Sequence, residues 1–239
     1  MEHRPFALDV RLKSPLIAQP FYPTLDALLS WVVWMQTGDI GRIRDLPLDC
    51  TDGVFHGSLP VVHRPPVFFE VGVSKHLSKR DLDEPGIKWK DEKLNFSNSS
   101  TGTLAMVDNR SAFCVLNAEG LYEQTRLTYF GSGDAEHCEH LMQLIPGIGK
   151  RRHIGTGEIA DVSMSLIDED RSLVDVHKRP MRPIPLEIWH ALGGSDAVRH
   201  NTDTQSWQPS YKHSPKTLCA VPDVPKTHVL ILKEDVHVD

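Results

Sequence analysis

The glycine-rich segment of residues 146–158 limits what this chain can fold into more than any other stretch. It contains four glycines, Gly147, Gly149, Gly155 and Gly157. Glycine has no Cβ, so the backbone can take positive φ and a partner can approach closely. Between the glycines lies a basic run, Lys150, Arg151, Arg152 and His153. Main-chain N–H groups in such a turn, beside fixed positive charges, favour the binding of phosphate or another anion.

The flanking stretches place this segment between a helix and a strand. Residues 134–145 have the spacing of a short amphipathic helix, and residues 158–166 alternate apolar and polar as a half-buried strand does. A P-loop needs the reverse order of elements and a Ser or Thr after its lysine, whereas Lys150 is followed by Arg151. A dinucleotide-binding loop also needs the strand first. Both of these phosphate-binding loops are therefore excluded.

The N-terminal region predicts a strand followed by a helix. Residues 6–12 alternate cleanly, with Phe6, Leu8, Val10 and Leu12 on one face. Residues 25–35 have apolar side chains at helical spacing, with Thr24 as a suitable N-cap and Gly38 as a suitable terminator. We expect the apolar face of this helix to pack on a sheet.

Short apolar runs predict the other strands. These are residues 53–60, 67–74, 123–130, 172–177 and 228–232, with a hairpin of residues 103–108 and 112–116 around Asn109-Arg110. Residues 193–216 are polar and rich in Ser, His and Asp, which predicts a loop. Antiparallel strands with two helices on one face correspond to an α+β fold.

Three of these features together resemble the RAMP superfamily of CRISPR-associated RNA-binding proteins. They are the glycine-rich loop before the last strand, a first strand ending in Ser14-Pro15 with a Leu-Asp-Ala-Leu-Leu helix after it, and the Arg-Pro-x-Arg-Pro run of residues 179–183. The last feature is similar to members of type IV systems. The layout resembles that family over most of residues 5–185. The resemblance implies a ferredoxin-like (RRM-like, βαββαβ) fold forming a single domain over residues 1–239, with a C-terminal extension carrying additional strands over about residues 186–239.

Residues 75–102 are polar and basic without lasting periodicity, and we interpret them as an insertion. The resemblance implies that this insertion is a thumb that bends the guide RNA. A base can stack on an aromatic side chain while cations meet phosphates, which suits this composition. The candidates are Lys75, Lys79, Arg80, Lys88 and Trp89. A solvated loop is the alternative.

The resemblance further implies a non-catalytic subunit that caps the 5′ handle of the CRISPR RNA (crRNA). Its partners would be that RNA, a repeated backbone subunit and a large subunit, with target DNA contacted only indirectly. The expected RNA-binding residues are those of the glycine-rich loop, the insertion candidates above, and Arg179 and Arg182. Two alternatives stay open: a metal-independent crRNA-processing endoribonuclease using His153, His56 or His76, and a purely structural subunit.

Composition limits these interpretations. The formal net charge is −6, which disfavours a free-standing nucleic-acid binder, although cations cluster locally at residues 75–80, 88–93, 150–153 and 178–182. No apolar run approaches the ~20 residues of a membrane span, so we expect a cytoplasmic protein with no membrane partner. Four cysteines without a CxxC pair predict free thiols. We interpret residues 137–140, His-Cys-Glu-His, as a polar helix face, and we expect neither a metal nor a cofactor.

Overall fold

The computed structural model describes residues 3–14, 16–17, 23–62, 67–77, 104–116, 122–123, 125–149, 152, 155–211, 213–223 and 230–231. Only the backbone is described for residues 17, 67–77, 104–116, 122–123 and 230–231. The chain divides into two compact units, one of Met1–Val67 with Phe113–Asp239 and the other of Phe68–Ala112. The fold is α+β.

Most of the regular structure in the described residues is β-strand. The strands are β1 Arg4–Leu12, β2 Leu16–Ile17, β3 Cys50–Thr51, β4 Val54–Phe55, β5 Val61–Val62, β6 Val67–Leu77, β7 Leu104–Leu116, β8 Tyr122–Glu123, β9 Thr125–Gly133, β10 Ile159–Leu166, β11 Ile184–Pro185, β12 Asn201–Gln205, β13 Thr217–Val221 and β14 Leu230–Ile231. The helices are α1 Leu25–Thr37, α2 Ala135–Gln143 and α3 Leu186–Ala191, with a 3-10 turn at Ile40–Arg42.

The main sheet has five strands in the order β10-β1-β9-β5-β14. β1 lies between β10 and β9 and is antiparallel to both, with Leu8 opposite Met164 on one side and Tyr129 on the other. β5 is antiparallel to β9, whereas β14 is parallel to β5. Along the chain, α1 follows β1 and α2 precedes β10. The strand predicted at residues 6–12, and the helix and strand predicted on either side of the glycine-rich segment, are confirmed.

The largest core lies between one face of this sheet and the two helices α1 and α2. The apolar side chains of β1 predicted to share a face are all buried in it, namely Phe6, Leu8, Val10 and Leu12. Leu25, Leu29 and Val32 of α1 and Leu141 and Met142 of α2 belong to the same cluster. Each such side chain contributes roughly 1.5–3 kcal/mol when it is fully buried. This core therefore fixes α2 over β10, and so both ends of the glycine-rich segment.

The ends of α1 and α2 follow local capping chemistry in part. Gly38 takes φ 66° and its N–H donates to the carbonyl of Trp34, so α1 ends as predicted. Asp134 caps α2 by accepting the His137 N–H at 3.1 Å. Thr24 precedes α1 without capping it through its side chain, and its hydroxyl instead lies 2.9 Å from that of Tyr211.

The prediction of a hairpin around Asn109-Arg110 is wrong. β7 runs without interruption from Leu104 to Leu116, over 13 residues, and is the hydrogen-bonded neighbour of β6. Tight two-residue turns favour a glycine in the second position, and arginine stands there instead. Pairing with the neighbouring strand therefore outweighs the weak local turn signal.

A smaller sheet of three strands, in the order β11-β13-β12, lies in the C-terminal part. It covers a second core containing Val54, Leu173, Ile184, Trp189 and Ala220. Residues 193–216 were predicted to be a loop, but they include β12, whose partner β13 supplies the apolar face. The strand predicted at residues 172–177 is not formed. Asp175 accepts the N–H groups of His177 and Arg179, which turns the chain there instead.

Candidate nucleic-acid interface

The glycine-rich segment is a closed loop whose two ends are hydrogen-bonded to each other. Gly147 and Glu158 pair as an isolated antiparallel bridge. On either side of it, the Ile148 N–H donates to the Gly157 carbonyl at 2.8 Å, and the Ile159 N–H donates to the Pro146 carbonyl at 3.1 Å. Since these bonds extend the start of β10, the two ends of the segment are fixed beside the sheet. We call residues 147–158 the glycine loop.

Two of the glycines are required by this closure. Gly157 has φ 64°, and a Cβ at this position would lie 1.9 Å from the carbonyl oxygen of Ile148. A Cβ on Gly147 would lie 2.8 Å from the carbonyl oxygen of Gly157. The two backbones therefore approach more closely than any other residue permits. Gly155 differs, because its φ is 84° but a Cβ there would meet no described residue within 4 Å.

The base of the glycine loop is also attached to the end of β1. The Lys13 N–H donates to the carbonyl of Glu158 at 2.7 Å, and the Glu158 N–H donates to the hydroxyl of Ser14 at 2.9 Å. The ammonium of Lys13 lies 3.0 Å from the Glu158 carboxylate, although both side chains are about half exposed. Such exposed ion pairs contribute little stability, so the main-chain bonds are the stronger attachment.

Arg152 turns back over the loop. Its guanidinium carbon lies 4.9 Å from the ring centre of Trp31 on α1, and its Nη1 donates to the carbonyl of Gly147 at 3.2 Å. A cation over an indole face is attracted by the ring quadrupole. Arg152 thus joins the loop to α1. The Arg152 side chain is exposed to solvent, although its guanidinium makes these two contacts within the protein.

An open cleft of about 590 Å³ lies between the glycine loop and β10. Its lining includes Gln143 and Ile145 at the end of α2, Arg152 in the loop, and the consecutive residues Ile159 to Val162. Two carboxylates face this region, and both are paired: Glu158 with Lys13, and Asp161 with Arg11. Among the described residues that line the cleft, both carboxylates are therefore paired with a cation, and Arg152 adds a positive charge.

Most of the other predicted RNA-binding residues lie outside the part of the chain that the structure describes. Lys150, Arg151 and His153 of the glycine loop lie outside the described residues. The same holds for Lys79, Arg80, Lys88 and Trp89 of the predicted insertion. Lys75 lies in β6, where only the backbone is described. Their RNA-binding role stays a prediction.

The two arginines of the Arg-Pro-x-Arg-Pro run have different environments. Arg179 is about half exposed, and its Nε donates to Asp175 at 2.5 Å, so part of its guanidinium faces solvent. Arg182 has no exposed surface. We expected Arg182 to contact RNA, and its burial corrects this expectation because no phosphate can reach it.

Arg182 is instead the centre of a buried polar network. Its Nη1 and Nη2 donate to the two carboxylate oxygens of Asp26 at 2.9 and 3.3 Å. The same two nitrogens also reach the hydroxyl of Tyr211 and the carbonyls of Phe55, Gly57 and Trp207. Burial opposes the charge, but Asp26 and Tyr211 outweigh it and raise the pKa of Arg182 above its ordinary value. The network joins α1 to the C-terminal part of the chain.

A second polar cluster was only partly anticipated. His56 was a candidate for proton transfer, but its neighbours were not identified. The Nδ1–H of His56 donates to Asp170 at 2.5 Å, and its Nε2 lies 2.8 Å from the hydroxyl of Thr51. Burial opposes ionisation of Asp170, yet the hydrogen bonds from His56 and from the Ser172 N–H hold its pKa below its ordinary value. No local motif links residues 114 positions apart, so only the fold reveals this contact.

Asp49 lies beside this cluster. Burial opposes its ionisation, but hydrogen bonds from Ser132 and His3, both at 2.6 Å, hold the pKa of Asp49 below its ordinary value. Within the described residues, no three His, Cys, Asp or Glu side chains gather closely enough to hold a metal ion. Cys138 of the His-Cys-Glu-His run is buried, and its thiol lies 3.3 Å from the carbonyl of Pro47.

No protein-family model matches this chain, and no curated protein matches it significantly. In the part of the chain that the structure describes, no helix has the length and apolar character needed to cross a membrane.

Proposed function

We propose that this chain is the crRNA-binding subunit of a type IV CRISPR effector complex, and that it caps the 5′ handle of the guide RNA. The glycine loop would hold the RNA backbone. This role needs a rigid site for phosphate at the end of a sheet and no proton transfer. That the ligand is RNA is inferred from the sequence resemblance to RAMP proteins.

The observation that carries this proposal is the closed base of the glycine loop. Four hydrogen bonds join its ends to each other and to the residues that follow β1. The N–H groups of Ile148, Ile159 and Lys13 donate to main-chain carbonyls, and the N–H of Glu158 donates to the Ser14 hydroxyl. The sequence between those ends includes Lys150, Arg151 and Arg152. A cationic loop with fixed ends binds phosphates at a lower cost in conformational entropy than a free one.

The sheet order supports the finer fold that this proposal assumes. The strand after α2 lies beside β1, and β5, which is the next strand of this sheet after α1, lies beyond β9. A split βαβ arrangement of this kind is that of the ferredoxin-like fold. We infer from it that β1, β5, β9 and β10 form the βαββαβ unit of a RAMP domain. β14 and the small C-terminal sheet would then be the additional strands.

Local charge rather than net charge would attract the RNA. The chain carries a formal charge of −6, so long-range attraction to a polyanion is weak. We propose that the backbone and large subunits supply further contacts, and that the predicted insertion of residues 75–102 acts as the thumb. This explains how a subunit with an acidic balance can belong to a ribonucleoprotein.

Sequencing of co-purified RNA tests the proposal. The chain is expressed with the other subunits of its system and a repeat–spacer transcript, and the bound RNA is sequenced from both ends. We expect a uniform 5′ end within the repeat, protected by the complex. Complexes that contain this chain but whose RNA has ragged 5′ ends would contradict a cap.

A second candidate, a metal-independent crRNA-processing endoribonuclease, is favoured by one contact. Asp170 orients the His56 ring, as a carboxylate does in many general acid–base sites. Thr51, however, already occupies the second ring nitrogen. Single-turnover incubation of repeat RNA with excess protein and a chelator separates the two functions. Site-specific cleavage that is lost in His56→Ala would establish the nuclease, and intact RNA favours the cap.

A further inference from the structure

β10 lies at one end of the main sheet, and its outer side is unpaired among the described strands. The Ile167 N–H donates to the Pro5 carbonyl at 3.1 Å, in the same register that places Phe6 opposite Leu166. Backbone hydrogen bonds alternate along an antiparallel pair. The main-chain groups of residues 161, 163 and 165 therefore face β1. Those of Val162, Met164 and Leu166 face outward.

From Asp161 to Leu166 this outer edge has few features that prevent pairing with another strand, because the register irregularity of β10 lies before this stretch, between Ile159 and Asp161. Edge strands are commonly protected by lysine, proline, bulges or short length. β10 has eight residues, Ile-Ala-Asp-Val-Ser-Met-Ser-Leu, with no lysine, arginine or proline. Its one charge, Asp161, is paired with Arg11. The opposite end of the sheet is β14, which has only two residues.

The side chains along the edge are apolar on one face and small and polar on the other. Val162 is buried, Met164 packs against the main core, and Leu166 is 53% exposed. The opposite face carries Ser163 and Ser165, both exposed. A partner strand must therefore bring apolar residues to the first face and uncharged residues to the second.

A second copy of β10, running antiparallel to the first, has this pattern of apolar and uncharged residues. In an antiparallel pair centred on Met164, Val162 of each copy lies opposite Leu166 of the other. Ser163 then lies opposite Ser165, and Asp161 lies opposite Ile167. Apolar cross-strand pairs stabilise such contacts, whereas like charges directly opposite would oppose them, and this register has none along the strand. The exposed Leu166 gains an apolar neighbour.

We propose that two copies of this chain associate through the outer edges of their β10 strands, with Met164 opposite Met164. Each copy also contributes to the cleft of the other. Residues 159 to 162 line that cleft in succession, so it runs beside the first half of the strand edge. Leu166 of the second copy lies opposite Val162, at this position.

The association is transient. Pairing of one strand edge buries less than the ~1,200 Å² of a standard stable interface. We therefore expect a dimer that forms in the micromolar range and dissociates on dilution. The proposal does not depend on RNA binding, since RNA-free protein is sufficient for the test.

Sedimentation equilibrium of RNA-free protein from about 1 µM to about 200 µM tests this proposal. Four variants are compared with the wild type: Leu166→Lys, Met164→Pro, Met164→Ala and Leu218→Lys. Met164→Pro removes an N–H that faces outward and leaves the bonds to β1, whereas Met164→Ala keeps that N–H. Leu218 is 50% exposed on β13, so Leu218→Lys controls for the loss of an exposed leucine elsewhere.

We expect Leu166→Lys and Met164→Pro to raise the dimer dissociation constant at least about tenfold. Met164→Ala and Leu218→Lys should leave it within about threefold. Leu166→Lys alone decides the matter if Met164→Pro does not fold, because Leu166 lies on the surface. A wild-type protein that stays monomeric throughout, or a dimer unaffected by Leu166→Lys, overturns the proposal.

Discussion

Asp26 and Arg182 form a fully buried ion pair, although they lie 156 residues apart in the sequence. Asp26 belongs to the first turn of α1, and Arg182 lies in the proline-rich run before β11. The charges compensate each other only while both are present, because an unpaired charge in the core is poorly solvated. The pair thus connects the two chain segments that make up the first compact unit.

Removing one member of this pair should destabilise the protein. Arg182→Met leaves the Asp26 carboxylate buried without its cation, so we expect the free energy of unfolding to fall by about 3–5 kcal/mol. The double variant Asp26→Leu/Arg182→Met should be less destabilised than the sum of the single variants. Urea denaturation of the four proteins measures this. Independent, additive effects would contradict the buried pair.

Gly155 and Gly157, two of the positive-φ glycines of the loop, should respond differently to alanine. Gly155→Ala should cost only the ~1–2 kcal/mol of a left-handed conformation, because none of the residues that the structure describes lies near the added Cβ. Gly157→Ala should cost clearly more and should displace β10 from its register, because the Cβ would collide with the Ile148 carbonyl. Thermal denaturation and amide hydrogen exchange at the base of the loop measure both effects. Equal costs would show that the loop is not closed there.

Trp31 and Arg152 should be energetically coupled. A double-mutant cycle with Trp31→Leu and Arg152→Ala removes the cation–π contact from each side. We expect a coupling of about 0.5–1 kcal/mol in the free energy of unfolding, the usual size at an exposed site. Arg42 is the control, because it is exposed and pairs with Asp45 instead. If Trp31 were coupled to Arg42 by the same energy, the coupling to Arg152 could not be attributed to the cation–π contact.

The stability of the His56–Asp170 region should depend on acid pH. The folded pKa of Asp170 lies below its unfolded value, so its ionisation stabilises the fold fully above pH ~4. That stabilisation is lost as the pH falls through the lower, folded value. The stability difference between the wild type and Asp170→Asn should therefore shrink as the pH falls below ~4. Asp196→Asn, at an exposed site, controls for the loss of one carboxylate. A difference that is constant with pH would contradict this assignment.

Local patterns predicted the elements around the candidate site well. The alternation at residues 6–12 and the helical spacing after Thr24 correspond to β1 and α1, because burial of one face decides both. The position of the glycine loop between α2 and β10 followed from the same rules.

Long-range pairing decided what local patterns could not. Arg182 was expected to be exposed because arginines are rarely buried without a partner, and its partner lies in a distant helix. The continuity of β7 and the existence of β12 likewise depend on neighbouring strands rather than on their own composition. The contact of Trp31 with Arg152 is of the same kind, since no spacing rule joins an α1 residue to the loop.

The salt dependence of RNA binding tests the central claim most directly. Binding of single-stranded repeat RNA is measured over a range of salt concentrations for the wild type and Lys150→Ala/Arg151→Ala. The control Arg42→Ala/Lys216→Ala removes the same charge from exposed sites outside the loop. Each phosphate contact that is lost should lower the slope of log affinity against log salt by ~0.7. We predict weaker binding and a slope reduced by up to ~1.4 for the loop variant, with little change in the control. Equal effects of the two double variants, or none in either, would contradict a role of the glycine loop in holding RNA.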